Sequence, residues 1–395
     1  HIRISLSMFH AEGEGEWFYN IPHRPVFNAL GALLLLAGLL ISLYRALPFT
    51  NTEHKAESAF LLLWLIVGAA PALVAGPDAT TLRSIAAQPV VFVVIALTLA
   101  ATLRLLSERA GRWGRIAGVS VVAALVVGIG ADTAHAYFDV WGEHREVRVT
   151  YYHALVQQAR YLDAQPEGGT VAFSSLYPGR FHDPYTVEVV LRRDDLSLRW
   201  FDGRSALVSP AGGNARVIVP SITPLDEALE PLFEGYATHL YRENFRPDDL
   251  ISHFDVYRFD ADAALAAFLS DGRGNPVYFC PGDVFPSDEP LAGCEPLALP
   301  VNVGDVVELI GYDLRTLVVG SGQEVELLTA WRVRAPFTLE AVIFVHLLDH
   351  NGRVAGQMDR LDFPSWHWRS NDAFVQVHRF SPVVEAPSGL YHLET

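Results

Sequence analysis

The chain has 395 residues, of which 50% are hydrophobic, and its formal net charge at pH 7 is −16. This charge argues against nucleic acid as a partner, because a phosphate backbone requires a basic surface on the protein. Long apolar runs alternate with short polar loops up to about residue 140, and beyond it charged, glycine, proline and aromatic residues mix as in a water-soluble fold. We therefore predict a membrane part followed by a globular part.

Four apolar runs approach the roughly 20 residues that a helix needs to cross a bilayer core. They are too continuous for the alternating strands of a membrane β-barrel, so each run is predicted to be a helix. The predicted fold class begins with an α-helical polytopic membrane domain over residues 25–140, preceded by an extracytoplasmic loop over residues 1–24. The four spans are predicted at about 25–47, 58–76, 89–106 and 116–138.

Positively charged residues between the runs predict the orientation of the spans. Four arginines lie at the end of the third run or between it and the fourth, and two cations lie at the end of the first run or between it and the second, so the positive-inside rule places both loops in the cytoplasm. Residues 1–24, the loop 77–88 and everything after about residue 139 are then extracytoplasmic, in a multi-pass protein of the plasma (inner) membrane. The cations are Arg104, Arg109, Arg112, Arg115, Arg45 and Lys55.

Arg83 stands in the predicted outer loop 77–88, against this charge bias, and two readings explain it. Its long side chain can reach the lipid headgroups, as arginines at the ends of membrane helices do. Alternatively, its guanidinium binds a phosphate of a lipid-linked substrate, because the planar fork of donors matches phosphate oxygens in bidentate geometry. The sequence leaves both readings open.

Glycines within the first two spans predict how these helices pack. Gly31 and Gly38 in the first run and Gly68 in the second lack a side chain, so they allow a neighbouring helix to approach closely. Pro71 in the second run permits a kink, since neighbouring groups can satisfy the backbone that proline frees.

From about residue 146 the hydrophobic period alternates between that of helices and that of strands. We predict helices in VTYYHALVQQARYLDAQ and DPYTVEVVLRR and a buried strand in TVAFSS, which make residues 146–262 a small extracytoplasmic α/β domain. Thr223, at the start of TPLDEALEPLFEG, is predicted as a helix N-cap with Asp226 three residues on. Short strands separated by turn residues predict a β-sandwich of jelly-roll or immunoglobulin-like type over residues 296–395.

Cys280 and Cys294 are the two cysteines of the chain, and both fall in the half predicted to be extracytoplasmic. There they can form a disulfide, for which the chain-entropy model gives about 3 kcal/mol at this loop length. Two unpaired buried thiols fit the sequence equally well, so both readings stay open.

Histidines and tryptophans of the predicted sandwich point to ligands only weakly. His346 and His350 have the spacing of helical zinc ligands, but the surrounding pattern is strand and turn, so no metal site is predicted. The segment DHNG at 349–352 predicts a hairpin turn. Trp366 and Trp368 have rings that can stack on sugars, yet tryptophans in a sandwich more often pack into the core, and packing is the favoured interpretation.

A polar loop that ends in N-x-P-x-x-P-x-F before a leucine-rich span resembles the later membrane portion of bacterial GT-C glycosyltransferases; it reads MFHAEGEGEWFYNIPHRPVFNALGALLLLAGLL. The resemblance is to the protein mannosyltransferase-like and aminoarabinose-transferase-like group of glycosyltransferase family 39. In this chain, FLLLWLIVGAAPALVAGPDATTLRSIAAQPVVFVVIAL resembles the pair of spans that follows in that family. The stretch LRWFDGRSALVSP resembles an extracytoplasmic segment of some members. The stretches GYDL, AWRV and FVHLLDHNGRVAGQMD of this chain resemble a β-sandwich that is appended in such proteins.

This resemblance implies an integral membrane enzyme that transfers a sugar from a polyprenyl-phosphate-linked donor to a protein, lipid or glycan acceptor on the extracytoplasmic face. It implies substrate-binding roles for Asn20, His23 and Arg24 in the first outer loop, and a contact of Arg83 with the donor phosphate. The catalytic carboxylate of the family lies in an outer loop nearer the N-terminus, so this chain is expected to be a C-terminal fragment without it. A divalent metal stays open as a cofactor of the full-length enzyme, and none is evident in the fragment.

A different class of protein is the alternative: a non-catalytic membrane anchor that displays an extracytoplasmic carbohydrate-binding or adhesive domain. In that case the four helices serve only as a tether. The many polar side chains of the first outer loop and the position of Arg83 favour the enzyme, because a tether needs neither.

Overall fold

The computed structural model describes residues 7–49, 54–75, 80–271, 278–279, 295–316, 323–349, 351–383 and 391–395. The chain forms two compact units, His1–Tyr151 and Tyr152–Thr395. Cys280 and Cys294 lie outside the described residues, so both readings of their state remain predictions.

The first unit is helical, and within the described residues it contains three helices that are long and apolar enough to cross a membrane. They are Ala29–Ala46, Lys55–Ala75 and the continuous run Ile85–Trp141. The prediction of a membrane-capable part followed by a β-sheet-rich part is therefore confirmed at this level. The elements are α1 (Ala29–Ala46), α2 (Lys55–Ala75), α3 (Thr80–Arg83), a 3₁₀ turn (Ile85–Ala87), α4 (Gln88–Ala134), a π-helical segment (His135–Trp141) and α5 (Arg145–Thr150).

Local chemistry explains where the membrane-capable helices begin. The side chain of Asn28 caps α1, because its Oδ1 accepts a hydrogen bond of 3.0 Å from the backbone N–H of Gly31. Pro89 lies in the first turn of α4, where its missing N–H leaves no intrahelical bond unmade. Leucine and alanine, which lose little freedom in a helix, dominate α1, whereas valine and alanine are the most frequent residues of α4.

The long run that contains the third and fourth predicted spans turns back on itself at Gly111, which has φ 60° and ψ −139°. A Cβ atom at Gly114 would lie 2.2 Å from the carbonyl oxygen of Leu106, and one at Gly118 would lie 2.6 Å from Cδ2 of Leu103. In a straight helix residues eight and fifteen positions apart are separated by about 12 and 22 Å. The two halves of the run therefore pack against each other, with the predicted arginine cluster around the turn.

Helix α1 and the start of α4 touch at Gly38. A Cβ atom there would lie 2.3 Å from the carbonyl oxygen of Val94 and 2.8 Å from Oγ1 of Thr98. The hydroxyl of Thr98 donates a hydrogen bond of 2.8 Å to the carbonyl oxygen of Leu34, one turn earlier in α1. The predicted close approach at Gly38 is confirmed, because only glycine leaves room for this backbone contact.

Replacing Gly38 by leucine is expected to destabilise the helical unit by about 1–3 kcal/mol, since the new side chain overlaps a helix backbone that has no room to move. Gly128, which has no atom within 4 Å of a Cβ position, provides the matched control. The measurement is thermal unfolding of the detergent-solubilised chain. Equal melting temperatures for Gly38→Leu and Gly128→Leu would contradict the packing described for Gly38.

The second unit is built around two larger sheets. The first has the strand order β2-β1-β4-β6-β5, in which β1 runs parallel to β2 and β4 while β6 is antiparallel to both of its neighbours. Two helices predicted from their period, α6 (His153–Ala164) and α7 (Asp183–Val190), are present. The strands are β1 (Gly169–Ser174), β2 (Leu196–Phe201), β3 (Ala206–Ser209), β4 (Asn214–Pro220), β5 (Ala237–Asn244) and β6 (His253–Asp260), and the unit also contains α8 (Glu230–Glu234) and α9 (Ala261–Asp271).

The second sheet has the order β3-β14-β11-β10-β9 and joins the two predicted C-terminal domains. Strand β3 belongs to the predicted α/β segment, yet it pairs with β14, and Phe201, Phe259, Trp331 and Phe374 share one hydrophobic core. Residues 146–262 and 296–395 are therefore not separate compact bodies. The remaining strands are β7 (Tyr278–Phe279), β8 (Glu295–Pro296), β9 (Val301–Val303), β10 (Val307–Leu314), β11 (Val325–Val333), β12 (Ile343–Leu348), β13 (Val354–Arg360), β14 (Ala373–Phe380) and β15 (His392–Glu394).

Thr223 does not cap a helix as the sequence predicts. The helix begins at Glu230, and the hydroxyl of Thr223 is fully buried without a hydrogen-bond partner among the described residues. Asp226 satisfies the local backbone instead, because its Oδ1 accepts a hydrogen bond of 2.8 Å from the N–H of Ala228. The turn that leads into the helix starts at Asp226 instead, because the N–H groups of Leu229 and Glu230 donate to its carbonyl oxygen at 2.8 and 3.0 Å.

Other expectations for the sandwich region are confirmed. Asp349 closes the hairpin between β12 and β13, since its Oδ1 accepts hydrogen bonds from the N–H groups of Asn351 and Arg353 at 2.7 and 2.9 Å. Trp368 is 4% exposed, so it packs in the core. His346 lies on a strand and pairs with Asp359 at 2.9 Å, whereas His350 lies outside the described residues.

Candidate functional site

The polar loop before α1 folds back on itself. The N–H of Gly13 donates to the carbonyl of His23 at 3.2 Å, and the N–H of His23 donates to the carbonyl of Glu14 at 2.6 Å. A Cβ atom at Gly13 would lie 2.1 Å from the carbonyl oxygen of Arg24, so the close crossing of the two segments requires glycine. His23 has φ 61°, in the left-handed region.

The amide of Asn20 holds this turn. Its Nδ2 donates a hydrogen bond of 3.0 Å to the carbonyl oxygen of Arg24, and its Oδ1 accepts one of 2.9 Å from the N–H of Ile21. Both ends of the amide are therefore engaged by the backbone of the loop. These two bonds hold the backbone turn that carries His23 and Arg24.

His23 and Arg24 each face a carboxylate. Nδ1 of His23 lies 3.0 Å from Oε1 of Glu12, and both side chains are about two-thirds exposed, at 67% and 64%. Nη2 of Arg24 donates to Oδ2 of Asp132 at 2.8 Å, and the arginine is 31% exposed. A guanidinium carries five N–H donors, so this pair orients Arg24 and leaves further donors for a ligand.

Aromatic side chains fasten the same loop to the end of the long helical run. Nε1 of Trp141 donates to the carbonyl of Trp17 at 2.8 Å, and the ring of Trp17 stacks on that of His144 with centroids 3.5 Å apart. The hydroxyl of Tyr151 donates to the carbonyl of Phe18 at 2.6 Å. Residues 7–28 and 132–151 thus lie at one end of the helical unit, in a belt of aromatic residues of the type found at membrane interfaces.

Arg83 is positioned by a different segment. It is the last residue of α3, and its Nη1 lies 3.5 Å from the carbonyl oxygen of Ala75, the last residue of α2. The indole of Trp64 anchors the following turn by donating a hydrogen bond of 2.9 Å to the carbonyl of Ala86. The structure therefore brings Asn20, His23 and Arg24 together in one loop and sets Arg83 beside the end of α2.

A buried carboxylate in the second unit was not anticipated from the sequence. Asp255 on β6 is 5% exposed and accepts two hydrogen bonds of 2.7 Å from Arg242, its cross-strand neighbour on β5. Nε2 of His239 lies 2.8 Å from its Oδ1, and Nε2 of His253 lies 3.6 Å from its Oδ2. Asp255 and the two histidines, but not Arg242, line a cleft of about 290 Å³ together with Glu230 and other residues.

The electrostatics of Asp255 are those of a structural ion pair. Burial favours the protonated acid, but the hydrogen bonds from Arg242 and His239 outweigh it, so the pKa of Asp255 is lowered. A carboxylate held ionised and bonded on both oxygens is a poor general acid. Among the described residues no group of three or more His, Cys, Asp or Glu side chains is arranged to hold a metal ion. The one signal in the sequence was that β5 carries a positive charge and β6 a negative one. Such charges indicate an ion pair only when the register of the two strands is known.

Comparison of the chain with protein-family models, with curated proteins and with solved structures finds no match in any of the three. The class of protein therefore follows from the fold. Within the described residues the chain has three helices able to cross a membrane, and a β-sheet-rich unit follows them.

Proposed function

We propose that this chain is part of an integral membrane glycosyltransferase of GT-C type, which moves a sugar from a polyprenyl-phosphate-linked donor to an acceptor at the extracytoplasmic face. The observation that supports this most is the loop of residues 7–28, where Asn20 holds the turn that carries the exposed His23, and Asp132 orients the half-buried Arg24 at one end of the helical unit. A tether has no need of a cation positioned in this way.

The helical unit supports an arrangement of four spans. The run Ile85–Trp141 reverses at Gly111, and its end returns to the loop before α1 through the pair Arg24 and Asp132. Two helices followed by the two halves of this run give four passes that start and finish at the same end. With the arginines near Gly111 in the cytoplasm of a plasma-membrane protein, the loop 7–28 and the residues after Trp141 are extracytoplasmic.

The chemistry of transfer explains why cations are needed there. Cleavage of a sugar–phosphate bond leaves negative charge on the departing phosphate, and guanidinium groups held in place before the reaction stabilise that charge. In this proposal Arg24 and Arg83 bind the phosphate, Asn20 fixes the turn that carries Arg24, and His23 with Glu12 borders the sugar.

The test is turnover of the donor by the protein expressed from its complete coding sequence and placed in lipid nanodiscs. Short-chain polyprenyl-phosphate hexoses and pentoses carrying a radioactive sugar serve as donor probes, and an extract of cell-envelope proteins, lipids and glycans supplies the acceptor. We expect time-dependent loss of label from the lipid with at least one of these donors. Absence of turnover with all of them, in protein that is folded and inserted, would overturn the proposal in favour of a membrane anchor.

A further inference from the structure

A groove lies in the second unit between α6 and the edge strand β5. Its volume is about 470 Å³, within the range of about 300–1,000 Å³ that sites for small molecules occupy. Strand β5 is the last strand of its sheet, so this side of the strand is open to solvent. Residues of three elements line the groove: Gln157, Arg160, Tyr161, Ala164, Gln165, Leu240, Tyr241, Glu243 and Phe254.

An aromatic platform forms one wall of the groove. The rings of Tyr161 and Tyr241 are stacked with centroids 4.7 Å apart and planes 19° apart, and Phe254 supports both at 6.1 and 6.2 Å. Tyr161 also packs on the buried core beneath α6, whereas Tyr241 is 36% exposed. The platform is therefore held in place from below and presents an aromatic surface to the groove.

The hydroxyl of Tyr241 donates a hydrogen bond to the carboxylate of Glu243. This bond, followed by burial, raises the pKa of Tyr241 to about 12. The Tyr241 side chain is thus neutral at physiological pH, and its hydroxyl group is hydrogen-bonded to Glu243. The carboxylate of Glu243 has further lone pairs that can accept hydrogen bonds from a ligand.

The polar lining of the groove has no net charge. Arg160 contributes one positive charge and Glu243 one negative charge, while Gln157 and Gln165 supply neutral amides. A site for phosphate would carry an excess of cations, and a site for an amine would carry an excess of carboxylates. The lining instead offers planar donors and acceptors beside an aromatic face, which suits a neutral ligand with many hydroxyl groups and one apolar face.

We propose that this groove binds a saccharide, with the C–H face of a pyranose ring on the Tyr241–Tyr161 platform and its hydroxyl groups bonded to the amides, Arg160 and Glu243. Trp366 and Trp368 do not compete for this role, because Trp368 is buried and Trp366 packs against the core, in line with the packing that the sequence favoured for them. This inference does not depend on the transfer reaction, because binding requires neither a lipid-linked donor nor the loop of residues 7–28.

The test is saturation-transfer difference NMR on the full chain in lipid nanodiscs. Methyl glycosides of glucose, galactose, mannose and N-acetylglucosamine serve as probes, with no donor present. We expect saturation transfer to at least one probe and about tenfold weaker binding in Tyr241→Ala, which removes the exposed ring. Tyr241→Phe keeps the ring and is expected to bind within about threefold of the unchanged protein.

Two further variants separate lost binding from lost folding. Gln157→Ala leaves the platform intact and removes one amide, with an expected weakening of about three- to tenfold. Tyr177→Ala removes a tyrosine that is 59% exposed and does not line the groove, so it should leave binding unchanged. Absence of saturation transfer to all four probes, or binding that is equal in Tyr241→Ala and Tyr177→Ala, overturns the proposal. Binding of a probe by protein that shows no donor turnover would support the groove while refuting the transferase.

Discussion

Replacing Arg83 by alanine in the full-length protein is expected to lower sugar transfer by about 100-fold, while membrane insertion and the amount of protein stay unchanged. On the proposed function its guanidinium stabilises the charge that develops on the donor phosphate, and removal of one preorganised donor of this kind costs about two to three orders of magnitude in rate. Arg83 ends the short helix α3, its Nη1 lies 3.5 Å from the carbonyl oxygen of Ala75, and it is not one of the buried apolar residues that form the core of the helical unit.

The measurement for Arg83 is the initial rate of label transfer at a saturating donor concentration, normalised to inserted protein. Arg83→Lys keeps the charge but lacks the fork of donors, so its rate is expected to fall between those of the unchanged protein and Arg83→Ala. Arg109→Ala is the matched control, because it removes one of four clustered arginines near the turn at Gly111 and leaves the charge bias of that loop in place. If Arg83→Ala transferred sugar as fast as Arg109→Ala, the arginine would serve only to contact lipid headgroups.

Replacing Asp372 by alanine is expected to destabilise the second unit by about 3–5 kcal/mol. Asp372 is fully buried and Arg199 is 3% exposed. Nε of Arg199 lies 2.5 Å from Oδ2 of Asp372, and Nη2 lies 3.1 Å from Oδ1. The N–H groups of Ala211 and Arg369 donate to the same carboxylate at 3.0 and 3.2 Å. Removal of the carboxylate leaves a buried guanidinium without its counter-charge.

Urea-induced unfolding followed by pulse proteolysis of the full chain measures this loss. Asp195→Ala is the control, because Asp195 pairs with Arg193 at the surface and its removal should change the unfolding midpoint far less. The double variant Arg199→Leu with Asp372→Leu is expected to recover part of the lost stability, since it removes both charges from the interior but leaves the N–H groups of Ala211 and Arg369 without their acceptor. A midpoint for Asp372→Ala equal to that of Asp195→Ala would show that the buried pair contributes little.

The helices of this protein were predictable because their signal is local. Residues 25–47 are apolar apart from a few polar positions, so composition predicts the helix, and the structure adds its start at Asn28, which caps it. The same holds for α6, whose buried residues Leu155, Ala159 and Leu162 recur at helical spacing. Thr223 shows the limit, since a capping motif needs a helix that starts beside it.

The candidate sites were less predictable because the partners of their residues lie far away along the chain. Arg24 pairs with Asp132 across 108 residues, and Arg199 pairs with Asp372 across 173 residues. Charge alone does not show which of many carboxylates an arginine will meet. The resemblance drew attention to Asn20, His23, Arg24 and Arg83, and only the structure showed that Asn20 bonds to the backbone of the turn that carries His23 and Arg24.

The sequence by itself determined that this chain has helices able to enter a membrane, a polar loop before them and a mixed α and β segment after them, because hydrophobic periodicity acts over neighbouring residues. Tertiary structure decided the reversal at Gly111, the pairing of β3 with β14, and the stack of Tyr161 on Tyr241. Each of these depends on contacts between residues distant in sequence, whose free energy arises only when the whole unit is assembled.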